Sequence, residues 1–535
     1  MDVLLVSYYE AVDAEMFENL GLEIIDACLS AKNMSSKLLY KEVDSFKNIS
    51  ILDIEEYMEE YKPKIVAIPV FYPNVKYINN MLGELKEKYP GIVTISGGAL
   101  VSQSPMRVME TYSNIDIGAI GEGEETMPEL ISYVLNNKDI STVAGIIWRR
   151  DGEVVMNETR PPVQLDNYPL PNREILSKKK FKYVRISASR GCFGVCKFCV
   201  ESRTFKAQQK QASRWRGRNI VSVVDEIEEI KNKYGVDTFN IIDNSFEDPT
   251  PGEGKEKLRL FAEEILRRNL DIFYTVFFRC ETFNEDDYEL LLLLKKSGLM
   301  YAFLGVESGC DSILRLFSKI AHKQQNLDTI RLFEKADINV GYGFILFHPY
   351  TSIAEIKENI EFLKKVPYAE NMLIYTNKMQ IFYDVPFYNL VQRDGLLTSD
   401  FSIENPFGYR FQDERMGWAL EQTVKMLDTP FKALWKYSRY IDSVIQKAKK
   451  YGTYVNMEQL QEVNHRVKKA ISAMNLEYMS KLVELMENDQ MNSDMKAIIE
   501  SIYPQEQYDA LDLKLKQMFK KVIFQNRKQD VNKIL

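Results

Sequence analysis

The sequence predicts an α/β protein in three parts: an N-terminal doubly wound parallel sheet, a central partial (β/α)6 barrel and a C-terminal helical domain. Three observations predict it. Short apolar runs alternate with helix-like stretches through the first 150 residues; the alternation resumes after a proline-rich connector; from about residue 400 the apolar spacing becomes helical. Continuous apolar strands separated by helices build parallel sheets buried on both faces. At 535 residues, and about 150 per domain, three or four domains are expected. The composition shifts place them at 1–150, 151–178 (a linker), 179–395 and 396–535.

The elements follow in order. Val3–Ser7 is the first strand, followed by a helix through Leu20, Ile24, Ile25 and Cys28, and then by strands at Leu38–Tyr40 and Ile65–Phe71. A helix around Ile78–Leu85 and a strand at Ile92–Gly98 come next, and Ile115–Leu130 joins a short strand to a helix. Ligands of such sheets sit at the carboxyl ends of the strands, which here carry the loops Pro69–Asn74, Ser96–Leu100 and Gly121–Thr126. The connector holds Pro161, Pro162, Pro169 and Pro171, a density that forbids a regular element and gives a semi-rigid spacer. Six further strands are expected at Tyr183–Ser187, Thr238–Ile242, Ile272–Phe278, Met300–Gly305, Val340–Phe347 and Met372–Phe382, with helices such as Ile220–Tyr234 and Asp286–Gly298 between them. Six units are fewer than a closed barrel's eight. In the tail, Leu511, Leu515, Met518 and Val522 form one helical face.

Composition excludes several classes. Hydrophobic residues at 45% and charged residues at 27% are an ordinary globular balance. A net charge of −8 argues against a general nucleic-acid binder. The longest aliphatic run, Leu290–Leu294, is far short of the roughly 20 residues a membrane span needs. The start lacks a basic n-region, so a cytoplasmic protein without membrane or nucleic-acid partners is expected. Cys28, Cys280 and Cys310 are scattered, whereas Cys192, Cys196 and Cys199 lie together. A large chain with one tight thiol cluster reads as a metal site rather than a disulfide framework.

That cluster, SRGCFGVCKFCV (Ser189–Val200), follows the first strand of the second series, at the barrel end where chemistry collects. Iron–sulfur clusters usually take four cysteines; with three local ones, one iron stays open to a substrate or cofactor. The bland alternative is structural zinc, which wants four ligands, yet the three histidines, His322, His348 and His465, are all distant in sequence.

CxxxCxxC with an aromatic, Phe198, before the third cysteine resembles the cluster loop of the radical SAM superfamily. Ile241–Phe246 (IIDNSF), Gly305–Gly309 (GVESG), Gly343–Thr351 (GFILFHPYT) and Arg214–Arg218 (RWRGR) agree with it, so the likeness covers about residues 180–390. The resemblance implies that Cys192, Cys196 and Cys199 ligate a 4Fe–4S cluster and that Phe198, Asp243, Asn244, Ser245, Arg279, Glu307 and Ser308 surround S-adenosylmethionine (SAM). Asp243 and Asn244 could instead cap the next helix, Arg279 could pair with Glu281, and Glu307 and Ser308 could be structural. Cys280 and Cys310 read as packing residues, and His348 as a structural loop residue.

The first domain extends the likeness. A flavodoxin-like sheet with SGG and GEGEET loops, the segment Gly145–Arg149 and the linker resemble cobalamin-binding radical SAM enzymes of the class B methyltransferase type. The resemblance implies that Tyr72, Ser96, Gly97, Gly98, Gly121, Gly123 and Glu124 line a cobalamin site, where glycines let the backbone approach a large planar ligand. The alternative for GEGEET is a tight turn placing acids at a helix N-terminus. The loop after the first strand, Ser7–Gly21, has no histidine, so no lower axial ligand is expected from it.

The resemblance implies one-electron cleavage of SAM to a 5′-deoxyadenosyl radical, methylation by cobalamin of an unactivated carbon in a natural-product intermediate or peptide, and an external donor of flavodoxin or ferredoxin type. A cyclase or rearrangement enzyme with the same cofactors is the second reading, and a metal-stabilised binding protein the third. The helical tail carries nine Lys/Arg against four Asp/Glu over residues 431–480, which could receive an acidic peptide or be a solvated face. Trp418 and Trp435 are expected in its packing or around the substrate cavity, and Tyr383–Asp384 beside the substrate pocket.

Overall fold

In the computed structural model, which describes residues 1–10, 18–201, 214–248, 251–451 and 456–526, the first sheet is built by β1 (Val3–Glu10), β2 (Ser36–Val43), β3 (Ile65–Pro69), β4 (Val93–Gly97), β5 (Ile117–Ala119), β6 (Ile146–Arg150) and β7 (Glu153–Met156). Their order is β2-β1-β3-β4-β5-β6-β7. The first five run parallel in the doubly wound 2-1-3-4-5 order, which puts a switch point between β1 and β3. Val3–Val6 of β1 are fully buried, as are Ile65 and Val66 of β3, because helices cover both faces. Residues 11–17 of the loop after β1 lie outside the described residues.

The sheet reaches further than expected: β6 closes the first domain as read, but it forms an antiparallel hairpin with β7, which lies inside the stretch read as linker. Asp151 (φ 53°) and Gly152 (φ 87°) make its turn, the Asp-Gly signal of a two-residue hairpin.

The second sheet holds β8 (Val184–Ile186), β11 (Thr238–Ile241), β12 (Phe273–Phe278), β13 (Leu299–Glu307) and β14 (Asn339–Phe344), in the parallel order β14-β13-β12-β11-β8. Between β8 and β11 sits a separate antiparallel pair, β9 (Ser189–Gly191) and β10 (Trp215–Gly217). The helix at Ile220–Tyr234 has the predicted bounds, and the second falls at Tyr288–Ser297. The sixth strand does not form. Its stretch contains a short helix, Leu373–Thr376, begun by Asn371 accepting from the Leu373 N–H, and is tied back by the isolated Phe347–Lys378 bridge and by Asn377 donating to the Phe344 carbonyl at 3.0 Å.

Beyond the barrel, long helices at Phe431–Tyr451, Met457–Glu487 and Gln505–Asn526 pack together. The predicted face of the last is used: Leu515 and Val522 are buried, with Leu511 and Met518 against the same core. No helix among the described residues is long and apolar enough to cross a membrane.

One arginine of the connector ties the two sheets together. Arg173 Nη1 meets Glu18 Oε1 at 2.6 Å and Glu23 Oε2 at 3.4 Å, and Nη2 meets Glu226 Oε1 at 2.7 Å. All four side chains are buried. Glu226 also takes Arg218 at 2.6 Å, and Glu18 accepts from the Arg185 N–H at 2.6 Å, at the start of the barrel. Arg173→Met therefore leaves Glu18 and Glu23 buried without a cation, Glu226 keeping Arg218, and is expected to cost about 3–5 kcal/mol, the usual penalty for breaking a buried pair; denaturant unfolding of the purified variant checks it.

Candidate functional site

Cys192, Cys196 and Cys199 leave the end of β9 in one turn-rich loop, all three partly buried and none in a disulfide. Gly194 lies between the first two: its N–H donates to Cys192 Sγ at 3.2 Å, and a Cβ there would stand 3.2 Å from Cys192 Sγ and 3.8 Å from Cys196 Sγ. Two sulfurs thus border one glycine. Cys199 is held a turn away by its N–H to the Cys196 carbonyl, 3.2 Å. Burial pushes the Cys192 thiol up to about 12, with Asp248 adding to the rise. It pushes Cys196 up to about 11 despite the opposing charge of Lys319. Both are neutral thiols until a cation ionises them, as metal binding does. Phe198 turns its ring edge to Phe317, centroids 5.2 Å apart, pinning the loop to the barrel.

The hairpin that launches this loop is conformationally demanding. Gly191 has φ 93°, and a Cβ would fall 2.0 Å from the Arg214 carbonyl oxygen across the hairpin, so no other residue fits. Arg190 stands directly opposite Arg216, a like-charge pair that weakens a sheet unless compensated. Compensation comes from the GEGEET loop after β5. Glu122 Oε1 meets Arg216 Nη2 at 2.6 Å and Arg190 Nη1 at 3.1 Å, and Glu124 binds Arg190 Nη2. Burial would raise Glu122, but the two guanidiniums outweigh it and hold it below the usual carboxylate range. Glu124, expected at the cobalamin site, thus pairs with the neighbouring domain, as does Glu122, which the sequence reading did not single out.

The expected SAM residues fall into two groups. Some serve the frame. Asp243 accepts from the Ala188 N–H at 2.8 Å and from the Ser189 hydroxyl, tying the end of β11 to the hairpin. Ser245 donates to Glu247 at 2.6 Å. Arg279 is engaged by Glu247 at 3.2 Å and by Asp248, with Glu281 farther at 3.6 Å; the pairing partners are the acids beside the Asn244 motif rather than Glu281 alone. Asp248 also accepts from the Phe193 N–H at 3.0 Å, and burial raises its pKa to about 6. Ser308 donates to Asn359 at 2.9 Å, and Gly309 abuts Phe362 so closely that a Cβ would lie 2.2 Å from its ring.

Asn244 and Glu307 are placed differently. Asn244 is exposed and reaches Glu201. Glu307 ends β13 at φ 62°, where the ladder with β14 is irregular; a bulge of this kind re-aims a side chain. Its carboxylate is flanked by Gly305 and Gly343, whose added Cβ atoms would come within 3.3 Å and 3.2 Å of it. Lys319, absent from the sequence reading, stands 3.9 Å from Glu307 and faces Cys196. It sits in an unremarkable FSKI segment, so no local signal reveals it. His348 is fully buried against Phe317 (5.2 Å), a structural residue. Cys280 and Cys310 are buried as well.

In the first domain, Gly98 (φ 94°) and Gly121 (φ 80°) are bridged by Ser102, whose hydroxyl donates to the Gly98 carbonyl at 3.0 Å and accepts from the Gly121 N–H at 2.9 Å. Gly97 is open to ordinary contact with Ala119 (3.6 Å), whereas a Cβ at Gly123 would come within 2.6 Å of the Ile25 side-chain tip, which would have to shift. Ser96 Oγ is buried without a partner among the described residues. Tyr72 packs on Phe382 at 5.1 Å, and Arg107 lies 3.8 Å over Tyr383. Both contacts bring the β3 and β4 ends of the sheet onto the segment after the barrel.

Residues 186–363 match the model of the radical SAM superfamily, and residues 11–131 that of the B12 binding domain. An uncharacterized methyltransferase of Pyrococcus horikoshii is 26% identical over 61% of this chain and 69% of its own length. An anaerobic magnesium-protoporphyrin IX monomethyl ester cyclase of Rubrivivax gelatinosus is 28% identical over 68% of the chain and 64% of its own length. The solved structure of a cobalamin-dependent SAM radical enzyme, OxsB, with aqua-cobalamin and SAM bound, superposes with a TM-score of 0.68 at 18% identity, covering 98% of this chain and 84% of that one. The two domains imply a 4Fe–4S cluster with SAM, and cobalamin. The residues fit: two sulfurs converge on Gly194, and an orphaned hydroxyl, Ser96 Oγ, sits among glycine turns at the sheet's carboxyl edge. Because Gly191 has no room for a side chain, Gly191→Ala is expected to leave bulk helicity intact and to cut iron retained per chain after anaerobic reconstitution to below about half, as measured by iron and sulfide assay.

Proposed function

We propose, from the premise that this chain joins a B12-binding domain to a radical SAM domain, that it methylates an unactivated carbon of a small-molecule natural-product intermediate or a peptide. The observation that supports this most is the Glu122/Glu124–Arg190/Arg216 clamp. It fixes the carboxyl edge of the first sheet to the hairpin that carries the cysteines, so the two cofactor sites open toward one another.

When bound, the cluster and SAM supply a 5′-deoxyadenosyl radical, and cobalamin supplies the methyl group. The protein's part is binding, orientation and exclusion of water. Cys192, Cys196 and Cys199 would hold the cluster, and SAM would bind beside it. Asn244, which reaches Glu201, and Glu307, beside Lys319, would contact its methionyl and ribose parts; Asp243, Ser245, Arg279 and Ser308 hold the strand ends that position them. Phe198 packs the loop against Phe317 and keeps solvent off the cluster. On the other side Tyr72, Ser96, Gly97, Gly98, Gly121 and Gly123 border the corrin and its tail, while Glu124 acts as a positioning residue through Arg190. The electron that this chemistry needs would come from an external donor of flavodoxin or ferredoxin type.

A second reading, a radical cyclase with the same cofactors, is favoured by the likeness to the Rubrivivax cyclase over 375 residues. Methyl-deuterated SAM separates the two. Methylation predicts a product 17 mass units heavier than substrate (three deuteria on one carbon, less the hydrogen replaced), read by mass spectrometry; an unlabelled cyclised product would refute it in favour of the cyclase.

A further inference from the structure

A cavity of about 1160 Å³ opens on the amino-end half of the barrel lumen, walled on the far side by the Phe431–Tyr451 and Met457–Glu487 helices. Register sets its depth. Asn240, Thr275, Tyr301 and Asn339 stand at one level, and Phe277, Phe303 and Gly341 at the next. Arg279, Gly305 and Gly343, two residues further along their strands, belong to the site above. The Phe277 and Phe303 rings, 5.3 Å apart, therefore form a partition between this cavity and the cysteine level.

Most charges around the cavity are neutralised. Lys468 pairs with Asp442 at 2.6 Å, Asp337 with Lys295 and Lys449 at 2.7 Å each, and His465 bonds to the Tyr368 hydroxyl. Of the lining charges without an ion pair among the described residues, Glu334, Lys436 and Glu458 are exposed, whereas Arg439 and Glu370 are not. Arg439 lies 4.9 Å over the Tyr301 ring, with no carboxylate within ion-pair distance among the described residues. Glu370, only 6% exposed, receives no hydrogen bond through its carboxylate from the described residues. One helical turn before Arg439, on the same face, Trp435 Nε1 is buried without a partner. Unpaired charges at a desolvated site are costly, and opposite charges that face one space without touching are satisfied by a ligand carrying both signs.

We propose that this cavity binds an aromatic molecule with an α-amino-acid head, its carboxylate held by Arg439 and the Trp435 N–H and its ammonium by Glu370. The rings of Tyr301, Phe277 and Phe303 flank the body. The proposal stands on the lumen itself and goes beyond the reaction read above. From Tyr301 to Glu307 β13 rises about 20 Å, at about 3.3 Å per residue, so only an elongated ligand anchored here extends past the phenylalanine partition to the cysteine level.

The test is titration calorimetry of the full chain, anaerobically reconstituted, with three probes: O-benzyl-L-tyrosine, its N-acetyl derivative and its methyl ester. The free amino acid is expected to bind at least about tenfold tighter than either derivative, since each loses one charge-assisted contact. Arg439→Met is expected to erase the penalty of the ester alone, and Glu370→Gln that of the acetyl derivative alone. The comparison of probes on the unaltered chain needs no variant, so misfolding cannot hide the answer. Equal affinity for the three, or no binding of any at millimolar concentration, overturns the proposal.

Discussion

Two arginines that face each other across a two-stranded hairpin are the constraint on which the site rests. Arg190 and Arg216 occupy opposed positions on β9 and β10, where like charges repel, and β9 leads directly into the cysteine loop. The hairpin is stable in this form only because Glu122 and Glu124 reach it from the first domain. The cysteine loop and the glycine turns of the other sheet are therefore parts of one electrostatic unit. Their relative placement is set by buried charge rather than by the linker alone, and the Arg173 hub repeats the same device where the connector passes between the sheets.

Much of this was legible in the sequence, for physical reasons. Parallel strands buried on both faces read as unbroken apolar runs, so five of six barrel strands fall where periodicity puts them, and the Ile220–Tyr234 helix has the predicted ends. The sixth does not, because a short apolar run such as Met372–Phe382 carries no period that separates a buried strand from a buried helical turn; Asn371 decides locally for the turn. The hairpin turn at Asp151–Gly152 carried a readable signal, yet the connector's prolines drew the boundary ahead of it.

Site residues divide the same way. The spacing of Cys192, Cys196 and Cys199 is a local property and marks the loop by itself. What each polar side chain does is set by partners far along the chain. Glu124 meets an arginine 66 residues away, Arg279 meets acids 31 and 32 residues upstream, and Lys319 approaches Glu307 only because the chain turns back at the end of β13. A single sequence names the carboxylates but not their counterions, so the partners within the chain of Asp243, Arg279 and Glu124 are seen only in the structure.

The account turns on a cluster whose fourth iron has no cysteine. Its most direct test is the electron paramagnetic resonance spectrum of the anaerobically reconstituted, reduced chain, recorded before and after adding SAM, alongside iron and sulfide analysis. The account predicts about four irons and four sulfides per chain and a spectrum that changes on adding SAM, because the open iron acquires new ligands. A chain that retains a single zinc, or a reduced cluster whose spectrum is indifferent to SAM, would contradict it.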